Sequence, residues 1–193
     1  MTYDYDGSQV LFRQAKARSL AARRFTKEAA EERERGRSGI ERKQRERDAV
    51  IVTVVLTQAA AEGYANWAHI QAGTSANGTW VNRWETLPAA AEAIGRPAGS
   101  PLSAERRDFL NLLGAWRNAL LHADARARDR LHDLLTSTGA LTSGTSEIDL
   151  LTADLAEAVV KRADELFRWA QDLTSIQAPF LDHAWIAGDE LLS

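Results

Sequence analysis

Three side chains past the middle of the chain could do chemistry together. Arg117, Asn118 and His122 lie in the run Arg117-Asn118-Ala119-Leu120-Leu121-His122. Imidazole titrates near pH ~6.5, so a histidine can take or give a proton at neutral pH. An arginine keeps its proton and presents a planar fork of donors. The Asn118 amide both donates and accepts, so it can orient a neighbour or hold an oxygen. On an ideal helix, a five-residue separation turns Arg117 and His122 about 140° apart. Asn118 and His122, four apart, face the same way. Arg117 and His122 can therefore act on one small group in two ways. Either the helix loosens near His122, or a second copy of the site faces the first. The plainer alternative has Arg117 paired with an acid and His122 capping a helix.

The element that must position them reads LSAERRDFLNLLGAWRNALLH, from Leu102 to His122. Ser103 suits the N-cap, and Glu105 suits the first turn, where the helix dipole favours an acid. Phe109, Leu112, Leu113, Trp116 and Leu120 fall on one arc of roughly 100°, the expected buried face. Asn111, Asn118 and His122 form a second, polar stripe with Gly114 and Ala115 between them. Small residues at that point would let another backbone come close. Arg117 stands at the border of the two faces. Asp124, inside ADARARDRL, reads as the N-cap of the next helix. That places His122 at a helix end or corner, where side chains are less bound to helical directions.

The run from Arg117 to His122 resembles the R-x4-H signature of HEPN domains, in the form with Asn directly after Arg and an apolar pair before His. The resemblance covers about residues 45 to 175. It implies a small all-helical bundle. For many members it implies a metal-independent ribonuclease, including toxins and antiviral effectors, whose site forms where two protomers meet. His122 would then transfer the proton, and Arg117 would clamp the phosphate and offset developing charge. Asn118 would orient His122 or bind a sugar or phosphate oxygen. Attack by the 2′-OH would leave a 2′,3′-cyclic phosphate and a 5′-OH. A symmetric dimer would bring two copies of each group around one phosphate, supplying both an acid and a base. The resemblance thus implies RNA as substrate, a homodimer, an antitoxin or effector protein as a further partner, and no cofactor or metal. A second function class remains open: a non-catalytic helical module that binds RNA, nucleotide or another protein and keeps the motif for binding.

The rest of the chain fits an all-α reading. At 193 residues it suits one domain plus an extension. There is no Cys, hence no disulfide, thiolate metal site or Cys nucleophile. No basic-then-apolar leader opens the sequence, and no apolar run is long enough to span a bilayer. A cytoplasmic protein is expected. The net charge of −3 hides an asymmetry: between Val10 and Asp48, about 13 basic residues stand against 7 acidic ones. Residues 1–37 are read as a charged helical extension with a thin stripe of mostly Ala. Residues 38–193 are read as an antiparallel bundle of four to five main helices.

The expected elements run in order. A capping box at Ser38 and Glu41 opens a long buried helix that ends near Ala72. Its Val50 to Val55 run is β-prone, yet the pattern continues too far for a strand. Thr74 to Glu85 is a loop centred on Asn77-Gly78, whose Trp80 and Trp84 either lid the core or stack bases. A short helix with Pro88 in its first turn stops at Gly95, and Ala125 to Ser137 forms another, with His132 on its surface. Ser146 or Thr152 caps the last long helix. Phe180, Trp185 and Ile186 in the tail can pack on the bundle, and Asp182-His183 resembles a dyad that lacks a nucleophile.

Overall fold

The computed structural model describes residues 7–97, 99–122, 124–142 and 144–176. The tail readings at Phe180, Asp182, His183, Trp185 and Ile186 lie outside these residues. Within them the fold is all-helical, with no strand. The elements are α1 (Gly7–Glu34), α2 (Ile40–Gln71), α3 (Trp80–Glu85), α4 (Leu87–Ala93), α5 (Ala104–Leu121), α6 (Ala125–Ser137), a 3₁₀ turn (Glu147–Leu150) and α7 (Ala153–Thr174). Val50 to Val55 lie inside α2, as their continuous pattern requires.

α2 is apolar on every side along its middle, so it can only be central. It packs against α1, α3, α4, α5 and α7, and Val50, Val54, Ala60, Ala61, Tyr64, Ala65 and Ala68 are all fully buried. α1 folds back along it as a hairpin, with Ser8 at the start of α1 beside Gly63 near the end of α2. The Ala stripe of α1 allows this close approach: Ala15, Ala22 and Ala29 lose all exposure. The hairpin turns at Gly39, whose φ of 62° is left-handed; a Cβ there would lie 2.9 Å from the Ala29 carbonyl oxygen. Gly39 also holds the N-cap position of α2, so no side chain caps that helix. The expected Ser38–Glu41 capping box does not form, because the helix starts one residue too late for Ser38 to reach its free amides.

The boundary expected at residue 37 falls between two helices that share one core. Phe12 of α1 is fully buried and stands edge-on to Phe167 of α7, with ring centroids 4.9 Å apart. Tyr64 and Trp84 complete the cluster, at 5.5 and 6.0 Å from Phe167. Part of the basic charge of the first helices is answered by acids. Lys16 pairs with Asp164 at 2.8 Å, and Arg23 pairs with Asp154 at 2.9 Å and with Glu157. Arg42 pairs with Glu28 and Glu32. These pairs also fix direction: α1 runs antiparallel to α7, while α2 and α7 run parallel.

One buried carboxylate ties three helices together. Glu46 of α2 is 2 % exposed. Its Oε1 accepts from the backbone N–H of Ala153, the first residue of α7, at 3.1 Å, and its Oε2 accepts from Lys43 Nζ at 2.6 Å. Burial pushes its pKa up, but hydrogen bonds from Lys43, Thr26 and the Ala153 amide outweigh that and hold it below the usual carboxylate range. Among the described residues no helix is long and apolar enough to cross a membrane.

Candidate functional site

α5 begins as its sequence demands, with Ser103 Oγ accepting from the Arg106 amide at 3.3 Å. Its buried residues are Phe109, Leu110, Leu113, Gly114, Ala115 and Trp116. Leu112 and Leu120 of the expected face are only partly buried. The arc is displaced because α5 is covered by α2 and α7 and also by α3 and α6.

The decisive feature is where α5 stops. Leu121 is its last residue, and His122 is extended, with φ −113° and ψ 131°. The His122 backbone N–H still donates to the Asn118 carbonyl at 3.0 Å, so the chain completes a final helical bond and then leaves. The departure brings the imidazole back. Arg117 Nη1 lies 3.4 Å from His122 Nε2 and donates to Asn118 Oδ1 at 2.9 Å. A guanidinium can only donate, so the contact faces the lone pair of Nε2 and leaves the ring proton on Nδ1. Among the described residues no acid stands within ion-pair distance of Arg117, while His122 holds the C-cap position of α5, as the plainer alternative expects of it. Asn118 and His122 are exposed and Arg117 partly so. Immediately beyond, Asp124 Oδ1 accepts from the Arg126 amide at 3.0 Å and starts α6. Loosening at the helix end thus assembles the three residues within one chain.

The small-residue gap has an occupant from the same chain. The second half of the expected loop at 74–85 is the helix α3, opened by a reciprocal cap between Thr79 and Asn82. The Thr79-Trp-Val-Asn82 spacing carries that signal, with Asn in place of the usual Glu or Gln. Trp84 is fully buried in the core, but Trp80 is only partly buried and rests on Gly114. A Cβ at Gly114 would lie 3.1 Å from Trp80 Cζ2 and Nε1. The gap therefore seats this indole, and a second chain is not needed to explain it. The placement is reinforced by the buried His69. Its Nε2 donates to the Arg83 carbonyl at 2.9 Å and its Nδ1 meets Thr74 Oγ1 at 2.8 Å, which ties α3 to the end of α2.

Between α3 and α5 lies a groove of about 380 Å³, bounded by Thr79, Trp80, Asn82, Arg107, Asn111, Asn118 and Arg130 of α6. Asn118 belongs to both the groove and the Arg117–His122 pair. Arg107 is held by Glu85 at 2.7 Å. Trp80, Arg107 and Arg130 were not legible as one site. A signal existed, since Arg107, Asn111, Gly114 and Asn118 recur at spacings of four, three and four, one face of a helix. A larger groove of about 500 Å³ between α1 and α7 is lined by Lys16, Arg23, Glu157 and Asp164, which pair with one another. His132 is a surface residue, as expected, and its Nδ1 lies 2.6 Å from Glu147. The Glu147 backbone amide, and then His132, hold that carboxyl below its ordinary range.

No protein-family model matches the chain, and no curated protein or solved structure matches it.

Proposed function

We propose that this protein is a metal-independent endoribonuclease of the HEPN type, with Arg117, Asn118 and His122 at its reacting centre. The observation that carries the reading is the helix end at Leu121, which puts an exposed imidazole 3.4 Å from a guanidinium that no acid holds among the described residues. Once Arg117 turns its donors to substrate, the His122 Nε2 lone pair is open to take the 2′-OH proton, the task of a general base. A phosphodiester entering between the two side chains would receive donors from Arg117 in place of the long contact to His122. The planar fork then meets two phosphate oxygens and offsets the charge that grows on them. Asn118, bonded to Arg117, fixes the guanidinium rotamer. The leaving 5′-oxygen needs a proton as well, and one imidazole with its lone pair free cannot supply it in the same step. A second copy of the chain, facing the first, would bring the protonated imidazole. This need for an acid, and not the gap at Gly114, is now the argument for a homodimer.

The test is cleavage of a single-stranded RNA with chelator present, comparing the wild type with His122→Ala and Arg117→Lys. Both substitutions should reduce the rate by about 10²–10⁴-fold. The lysine fails because an ammonium keeps the charge without the fork. Products should carry 2′,3′-cyclic phosphate ends. Wild-type activity that survives His122→Ala would overturn the mechanism and bring forward the non-catalytic module.

A further inference from the structure

We infer that the groove between α3 and α5 is a nucleotide-reading subsite for single-stranded RNA, with Trp80 as the stacking surface, Asn111 as the base-edge contact and Arg130 as a phosphate contact. The inference rests on the endoribonuclease reading for its choice of ligand, and on the groove itself for its residues.

Position comes first. Asn118 lines the groove and accepts a hydrogen bond from Arg117 at 2.9 Å, so whatever fills the groove touches the reacting centre. From Asn118 the floor descends α5 through Gly114 and Asn111 to Arg107, a stripe about 16 Å long at the helical rise. A strand lying in it would leave the scissile phosphate at the His122 end.

Chemistry comes next. Trp80 lines the groove and leans on Gly114, where a Cβ would crowd it at 3.1 Å; the bare glycine lets the Nε1–Cζ2 side of the indole settle against α5. A partly buried indole held in place is a ready stacking surface for a base, and stacking tolerates any base. Discrimination needs a paired donor and acceptor, and the Asn111 amide offers both within the groove. Arg130 is exposed, lines the wall, and has no acid within ion-pair distance among the described residues. Arg126 precedes it by one turn on the same face of α6, toward His122. The one carboxylate in the lining, Glu85, is already taken by Arg107 and by the Asn82 amide. The balance of free charge is therefore positive, as a phosphate backbone requires.

The experiment measures binding without cleavage. Short 2′-O-methyl homo-oligonucleotides of A, C, G and U lack the attacking hydroxyl and are read by fluorescence anisotropy at several salt concentrations. Trp80→Leu should weaken binding about fivefold or more, the worth of one stacked base, with Trp80→Phe restoring part of it. Arg130→Gln should lower the salt slope by about 0.7, one phosphate contact on a single strand. Asn111→Ala should flatten the preference among the four bases, which a merely structural role would not do. Arg128→Gln, outside the groove, is the control. Wild-type affinity, preference and slope in all three groove variants would overturn the inference, even with His122-dependent cleavage intact. Groove-dependent binding in a protein whose cleavage survives His122→Ala would support the subsite and sink the proposed chemistry instead. Failure of the wild-type protein to bind any of the four would overturn the subsite outright.

Discussion

Removing the Glu46 carboxylate should cost this fold more than any surface ion pair. Glu46→Ala leaves the Ala153 N–H buried with no acceptor and opens a space between α1, α2 and α7. A hydrogen bond to a charged group contributes about 1.5–3 kcal/mol, and the lost packing adds to it, so about 3 kcal/mol is expected in total. For a chain of this size that lowers Tm by about 6–12 °C. Glu46→Gln keeps the shape and one acceptor oxygen but loses the charge, which should cost about 1 kcal/mol, or roughly 2–4 °C. The sign with pH follows from the depressed pKa of the folded carboxyl. Its stabilisation is fully present above the unfolded value, near pH ~4.3, and is lost as pH falls through the lower folded value. The gap between wild type and Glu46→Gln should therefore close in acid. Thermal unfolding followed by far-UV circular dichroism measures all three proteins. A Glu46→Ala protein melting within a degree or two of wild type would refute the claim that this carboxylate anchors the start of α7.

Other outcomes follow from the same packing. Phe12→Ala should destabilise by about 3–5 kcal/mol, because the ring is fully enclosed against Phe167; a near-native denaturation midpoint would mean that α1 is dispensable. Gly114→Leu should displace Trp80 and cost about 1–3 kcal/mol by overpacking, with the sedimentation coefficient unchanged; a shift in oligomeric state would return the gap to the dimer interface. Asp124→Ala should weaken the start of α6 by about 1 kcal/mol and slow the proposed RNA cleavage more than that stability loss explains; unchanged kinetics would show that the corner after His122 is held by other contacts.

Much of the helical plan was readable because it rests on period. The 3.6-residue pattern located α5 and α7, unbroken length located α2, and Ser103, Asp124 and Thr152 each cap the helix expected of them. What escaped depended on contacts distant in sequence. Nothing local in α1 says that its alanines meet α2 and α7, since an Ala stripe stabilises only once a partner is close enough to use it. The seat of Trp80 on Gly114 is likewise invisible, because one residue gives no sign of the other. At the site itself, the types and spacing of Arg117, Asn118 and His122 were readable, and so was the choice between a loosened helix and a facing second copy. Which of the two routes brings Arg117 to His122 depended on the backbone angles of a single residue.

That single residue changes what the spacing means. Five positions apart is the wrong interval for two groups within a helix and a workable one for groups that straddle its end. The interval is in effect a statement about where hydrogen bonding to the helix ceases. Insertions or deletions upstream of Arg117 would move the pair as a rigid unit and leave its geometry whole. A substitution that let the helix run on through His122 would alter none of the three side chains, yet would swing the imidazole away from the guanidinium. The vulnerability of the candidate site therefore lies less in its three side chains than in the stop that follows Leu121.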